Sequence, residues 1–201
     1  LNVHTAILAD LQGPKIRIGA IKENTILQND KEFIITNKEC VGDSTVAYIN
    51  YQQFPQDVTQ GETILINDGK IHLEVLSTNN KDKVVTKVVH GGELSSNKGV
   101  NLPNTEISQP CLTEKDLNDL AFILSQPIEW IGLSFVRSAN DIMQLKSHIQ
   151  TKTHKARVVA KIEKPQAITN LDAIIDATDA VMIARGDLGV EIPMQKVPVI
   201  Q

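Results

Sequence analysis

Two segments decide how this chain is read: Arg157-Val158-Val159-Ala160-Lys161-Ile162-Glu163 and Ala180-Val181-Met182-Ile183-Ala184-Arg185-Gly186-Asp187. Each runs apolar and then breaks into charge, the pattern of a buried strand that ends at a loop. The stretch between them, residues 165–177, has the length of a helix. Strand, helix, strand with charged residues at the carboxyl ends is where α/β sheets and barrels build their active sites. Residues two apart on a strand share a face, so Lys161 and Glu163 are expected to point the same way. One ammonium and two carboxylates, Glu163 and Asp187, then converge where two neighbouring parallel strands end. That set suits a divalent cation with an anionic substrate.

The same alternation extends back to residue 113. Thr113 with Asp116 three residues on predicts a capped helix over 114–124, with Leu117, Leu120, Ala121 and Leu124 on one face. Residues 130–136 read as a buried strand with Trp130 in the core. Residues 140–149 read as a helix striped by Ile142, Leu145 and Ile149, and 166–175 as another. Strands alternating with helices indicate a parallel sheet. A short buried strand at residues 3–9, leading into Asp10, belongs to that sheet, and Gly13-Pro14 breaks it. Residues 15–110 have a different texture. Alternating segments at 32–36, 64–66, 71–75 and 83–89 are strands, and Asn67-Asp68-Gly69 is a hairpin signal. The expected organisation is an α/β domain at 1–12 and 111–201, with a small all-β domain at 13–110 inserted in it.

The α/β part holds four strands, whereas a closed eight-stranded barrel takes about 250 residues. It is therefore a small open sheet or half a barrel from a longer chain, and a start at Leu1, already in an apolar run, favours a piece of something longer. Open sheet edges invite self-association.

Composition excludes several classes. The chain has 201 residues, 41% of them hydrophobic, enough for a packed core. A net charge of −4 argues against a general nucleic-acid binder, so any phosphate-binding group must be local. Cys40 and Cys111 are too few and too far apart for a disulfide framework or a zinc site, which makes a reducing cytoplasm the default compartment. No apolar run of about 18 residues predicts a membrane span. The five histidines show no metal-ligand spacing.

Local chemistry leaves alternatives open. Glu163 and Asp187 suit Mg²⁺ or Mn²⁺, or are two solvated acids at strand ends. Lys161 fits a charge clamp, a Schiff-base nucleophile or an ion-pair partner of Glu163, and spacing does not choose. The amides of Gly186 and Asp187 could cradle a carboxylate or phosphate, or Gly186 serves a turn. Asp68 belongs to a hairpin turn first. Lys98 lies in a Gly- and Ser-rich loop over 91–99, where a lone lysine is ordinarily solvated.

The segments ending at Glu163 and spanning Met182 to Pro193 closely resemble two signatures of the pyruvate kinase family. Asp10 through Arg17, Asn67-Asp68-Gly69, Lys98-Gly99-Val100-Asn101-Leu102-Pro103, Thr113-Glu114-Lys115-Asp116 and Ser134-Phe135-Val136-Arg137 follow in that family's order. The resemblance implies a partial (β/α)₈ TIM barrel, about strands three to six, with the β block as an inserted mobile lid domain. It implies phosphoryl transfer from phosphoenolpyruvate to ADP, giving pyruvate and ATP, in a parent that is a homotetramer. Lys161 resembles the lysine that stabilises the transferring phosphoryl group and the enolate. Glu163 and Asp187 resemble the Mg²⁺ (or Mn²⁺) ligands, and the amides of Gly186 and Asp187 the substrate-carboxylate site. Arg17 and Lys98 resemble nucleotide-phosphate contacts, and Asp68 belongs to lid closure.

The chain departs from the common family pattern in two ways. Leu11 and Lys15 stand where potassium-dependent members have Thr and Glu. That resembles the potassium-independent subgroup, in which a lysine ammonium replaces the monovalent cation, and it puts a cation site at Asp10 in doubt. The upstream segment with a substrate-binding Arg and the downstream Thr are absent, so these residues alone are expected to be inactive. A metal-dependent aldolase or lyase of the related phosphoenolpyruvate/pyruvate barrels is the competing enzyme class. A folded lid domain on an incomplete, non-catalytic barrel is the competing non-enzyme reading.

Overall fold

The computed structural model describes residues 5–152 and 154–201. The chain divides into two compact units, residues 1–14 with 110–201, and residues 15–109. Among the described residues no helix is long and apolar enough to cross a membrane.

The discontinuous unit opens with β1 (Leu8–Leu11). The inserted unit follows with β2 (Ile26–Leu27), β3 (Glu32–Thr36), β4 (Val46–Tyr48), α1 (Phe54–Asp57), β5 (Thr63–Ile66), β6 (Ile71–Thr78), β7 (Lys83–His90), β8 (Gly92–Glu93) and β9 (Val100–Asn101). Six of its strands form one sheet in the order β4-β3-β7-β6-β5-β9, and β2 pairs with β8. Alternation sets its core: along β6, Ile71, Leu73 and Val75 are buried while Glu74 is exposed. Phe33, Ile35, Tyr51, Phe54, Ile64 and Ile66 fill the same core. The β5–β6 connection is a four-residue turn in which Asn67, Asp68 and Gly69 all have positive φ (56°, 57° and 80°). These are the residue types that adopt the left-handed region at least cost.

The discontinuous unit resumes with α2 (Glu114–Ile123), β10 (Trp130–Leu133), α3 (Ala139–Thr151), β11 (Arg157–Ile162), α4 (Pro165–Thr169), α5 (Leu171–Ala177), β12 (Ala180–Ile183), α6 (Arg185–Glu191), a 3₁₀ turn (Met194–Lys196) and α7 (Val197–Ile200). Its four strands form one parallel sheet in chain order, β1-β10-β11-β12. Val158, Ala160 and Ile162 on β11 pack with Ile142 and Leu145 of α3 and Ile174 of α5.

Several expectations need correction. The first strand is not a buried segment at 3–9. Residues 1–4 lie outside the described residues, β1 runs from Leu8 to Leu11, and Ile7 and Leu8 are exposed because β1 is the first strand of its sheet. Strand β10 stops at Leu133, since Phe135 turns left-handed (φ 56°). Trp130 is half-buried rather than core, with the Arg157 guanidinium 5.4 Å over its ring. On α2, Leu117 and Ala121 are exposed, and the buried positions are Leu120 and Asp116. A capping box explains Asp116: its carboxylate takes up the Thr113 and Gly13 amides, so an acid replaces an apolar residue on the inner face. The helix over 166–175 is two helices meeting at Asn170. Gly186 lies not in a turn but in the first turn of α6.

Candidate active site

Strand β11 delivers Lys161, and the residue just past its end is Glu163. They share a face, and Lys161 Nζ lies 3.2 Å from Glu163 Oε1. The ammonium also reaches Asp10 Oδ2 (3.0 Å) and Oδ1 (3.2 Å) on β1 and donates to Ser134 Oγ at 2.8 Å. Strand β10 lies between β1 and β11, and Asp10 pairs in register with Gly132. A Cβ at Gly132 would stand 3.1 Å from Asp10 Oδ1 and 3.7 Å from Lys161 Cδ. The missing side chain opens the path over which Lys161 and Asp10 meet.

Glu163 is 1% exposed and not a solvated strand-end acid. The Phe135 amide donates to its Oε2 at 3.0 Å, whereas Oε1 accepts no well-directed hydrogen bond. Burial raises the Glu163 carboxyl above its ordinary value, and the charge of Asp187 adds to this. Lys161 and the Phe135 amide pull the other way without cancelling it. Burial works against the charged form of Lys161, but the Asp10 hydrogen bond and the Glu163 and Asp10 charges outweigh it, so the ammonium is held more firmly than usual. A buried carboxylate oxygen that is ion-paired to Lys161 but accepts no well-directed hydrogen bond, beside a half-buried Asp187, fits a hard divalent cation. Such ions take one or two carboxylates and keep waters for a substrate.

The remaining predicted positions lie in the inserted unit. Arg17 bridges to Gly99, its Nη1 donates to the Asn97 carbonyl at 3.0 Å, and the Ile18 amide donates to the Lys98 carbonyl. The Asn67 amide donates to the Gly99 carbonyl, which brings the Asp68 turn to the same place. Asn67, Lys70 and Lys98 line part of a cleft of about 350 Å³. Lys15 is exposed.

The family model described as "Pyruvate kinase, barrel domain" matches residues 1–201. The chain belongs to the pyruvate kinase family. It is 43% identical over 196 residues to a pyruvate kinase of Corynebacterium glutamicum, covering 97% of this chain and 41% of that protein. The value is also 43% over 196 residues for one of Mycobacterium tuberculosis, with the same coverage. It is 39% over 202 residues for one of Thermococcus litoralis, covering all of this chain and 42% of that protein. The chain thus spans about two-fifths of the length of these curated relatives.

Sequence reasoning about this pyruvate kinase chain assigned no site role to Gly132, nor to Ser134 and the Phe135 amide, whose segment it held only as part of the family resemblance. Gly132 carried a signal, a glycine inside an otherwise apolar strand, which marks a close approach. The direction of the Phe135 amide was not foreseeable, because a bulky residue seldom takes positive φ.

Proposed function

We propose that the full-length protein is a glycolytic pyruvate kinase that transfers a phosphoryl group from phosphoenolpyruvate to ADP, giving pyruvate and ATP. The observation that carries the reading is the Lys161 ammonium 3.2 Å from Oε1 of Glu163, a buried carboxylate oxygen that accepts no well-directed hydrogen bond. Phosphoryl transfer asks for positioning and charge neutralisation rather than a covalent intermediate. In this reading Lys161 lies against the transferring phosphoryl oxygens and the enolate oxygen of the leaving pyruvate. Glu163 and Asp187 hold Mg²⁺ or Mn²⁺, and the bound cation supplies further positive charge to the same oxygens. The Gly186 and Asp187 amides in the first turn of α6 hold the substrate carboxylate.

The inserted unit is read as a lid domain, with Arg17 and Lys98 contacting the nucleotide phosphates and Asp68 taking part in closure. A closed lid excludes water, the competing phosphoryl acceptor. Lys15 takes the place of a monovalent cation, so Asp10 needs no potassium. The 201 residues alone, with one wall of the site, have no turnover.

The test is Glu163→Gln in the full-length enzyme. A coupled assay is expected to show about a 10²–10³-fold loss of kcat, with weaker Mn²⁺ binding by electron paramagnetic resonance. An unchanged kcat overturns the reading.

A further inference from the structure

We propose that the Ser134–Phe135 turn is the device that positions both charged groups of the site. The Ser134 hydroxyl fixes the Lys161 ammonium, and the Phe135 amide engages Glu163 Oε2, which leaves Oε1, on the side of that ammonium, to meet a cation. This inference rests on the metal reading given above.

Strand β10 ends at Leu133, and the next two residues both address β11. Ser134 Oγ accepts from Lys161 Nζ at 2.8 Å, and Phe135 N donates to Glu163 Oε2 at 3.0 Å. One residue offers a side chain and its neighbour a backbone donor to groups two positions apart at the end of the facing strand, Lys161 on it and Glu163 just past it. The left-handed Phe135 (φ 56°) makes this geometry, because an extended chain would carry the second donor along the ladder.

A phenylalanine in that region persists only where its surroundings hold it. Here they do. Gly13 (φ +69°) packs so closely that a Cβ there would stand 2.9 Å from Phe135 Cδ2 and 3.1 Å from the Ser134 carbonyl oxygen. The buried Cys111 thiol donates to the Ser134 carbonyl at 3.2 Å and, less closely, to that of Phe135 at 3.6 Å. The Gly13 amide is itself held by Asp116 Oδ1 at 3.1 Å. Ser134 and Phe135 are therefore positioning residues, acting through Lys161 and Glu163. Groups that orient a metal ligand in this way are commonly worth 10–100-fold in metal affinity.

The test uses the 201-residue chain with Phe135 replaced by its α-hydroxy analogue, which keeps the ring, removes the N–H and leaves the Ser134 carbonyl as a weaker ester acceptor for the Cys111 thiol. Mn²⁺ titration is expected to show a 10–100-fold higher dissociation constant, with the thermal midpoint little changed. Affinity within twofold of the unmodified chain overturns the proposal. Hydrogen exchange of the Phe135 amide is the independent readout: slow exchange in the unmodified chain, accelerated at least tenfold in Glu163→Leu. An amide that exchanges as fast as an exposed loop, or one indifferent to Glu163→Leu, also overturns the proposal. If the unmodified chain binds no Mn²⁺ but its Phe135 amide shows the expected dependence on Glu163, the metal reading fails and the positioning role stands.

Discussion

Lys161 on β11 and Asp10 on β1 are ion-paired at 3.0 Å across the intervening strand, over the bare backbone of Gly132. Asp10 is half exposed, whereas Glu163, the second partner of that ammonium, is 1% exposed. Lys161→Met is therefore expected to cost about 3–5 kcal/mol, chiefly because it leaves the Glu163 charge buried without a counter-charge. Urea unfolding of the discontinuous unit at pH 7, without divalent cations, measures it. A loss below about 1 kcal/mol would show that Glu163 is neutralised some other way.

Asp116 is fully buried and gathers Gly13 N, Thr113 N and the Thr113 hydroxyl. Asp116→Ala strands several donors at once and is expected to cost about 2–4 kcal/mol, against about 1 kcal/mol for Thr113→Ala, which removes the cap alone. Equal losses in the two variants, compared by denaturant midpoints, would contradict this ordering.

Asp179 gives a pH dependence. Burial pushes its carboxyl up, but the Val158 amide at 2.8 Å and Lys146 at 2.9 Å outweigh that and hold it below the ordinary 3.8. A depressed carboxyl stabilises the fold fully above its unfolded pKa and loses that contribution as pH falls through the folded one. Asp179→Asn is thus expected to cost about 1 kcal/mol at pH 7, discounted for partial exposure. Thermal melts from pH 7 to 2 should show the gap closing only below about pH 4. A gap that is constant with pH would mean the effect is steric.

Potassium tests the assignment of Lys15. The full-length enzyme is expected to turn over equally with and without potassium, and Lys15→Glu to impose a requirement for it. Potassium stimulation of the unmodified enzyme would refute the assignment.

The strand–helix alternation and the Lys161–Glu163 face were legible because both follow from local periodicity. Arg157–Ile162 is a strand with the bounds its apolar run implies, and the stripe Ile142, Leu145, Ile149 is buried on α3. The Asp10–Lys161 pair was not legible. It depends on the register of three strands drawn from residues 8–161, and no local pattern encodes register. Exposure of Leu117 and burial of Asp116 were missed for a related reason: a polar network, and not hydrophobic spacing, fixed the inner face of α2.

Cys111 lies sealed beneath the Ser134–Phe135 turn, and burial pushes its thiol well above the usual range, whereas Cys40 is exposed on the inserted unit. Thiolate is the reactive form, so a maleimide reagent meets only one competent sulfur in the native chain. The wild-type sequence is already a single-site labelling scaffold. A fluorophore on Cys40 would follow the rotational motion of residues 15–109 with no cysteine removed, and uptake of a second equivalent of dye would report unfolding around Cys111.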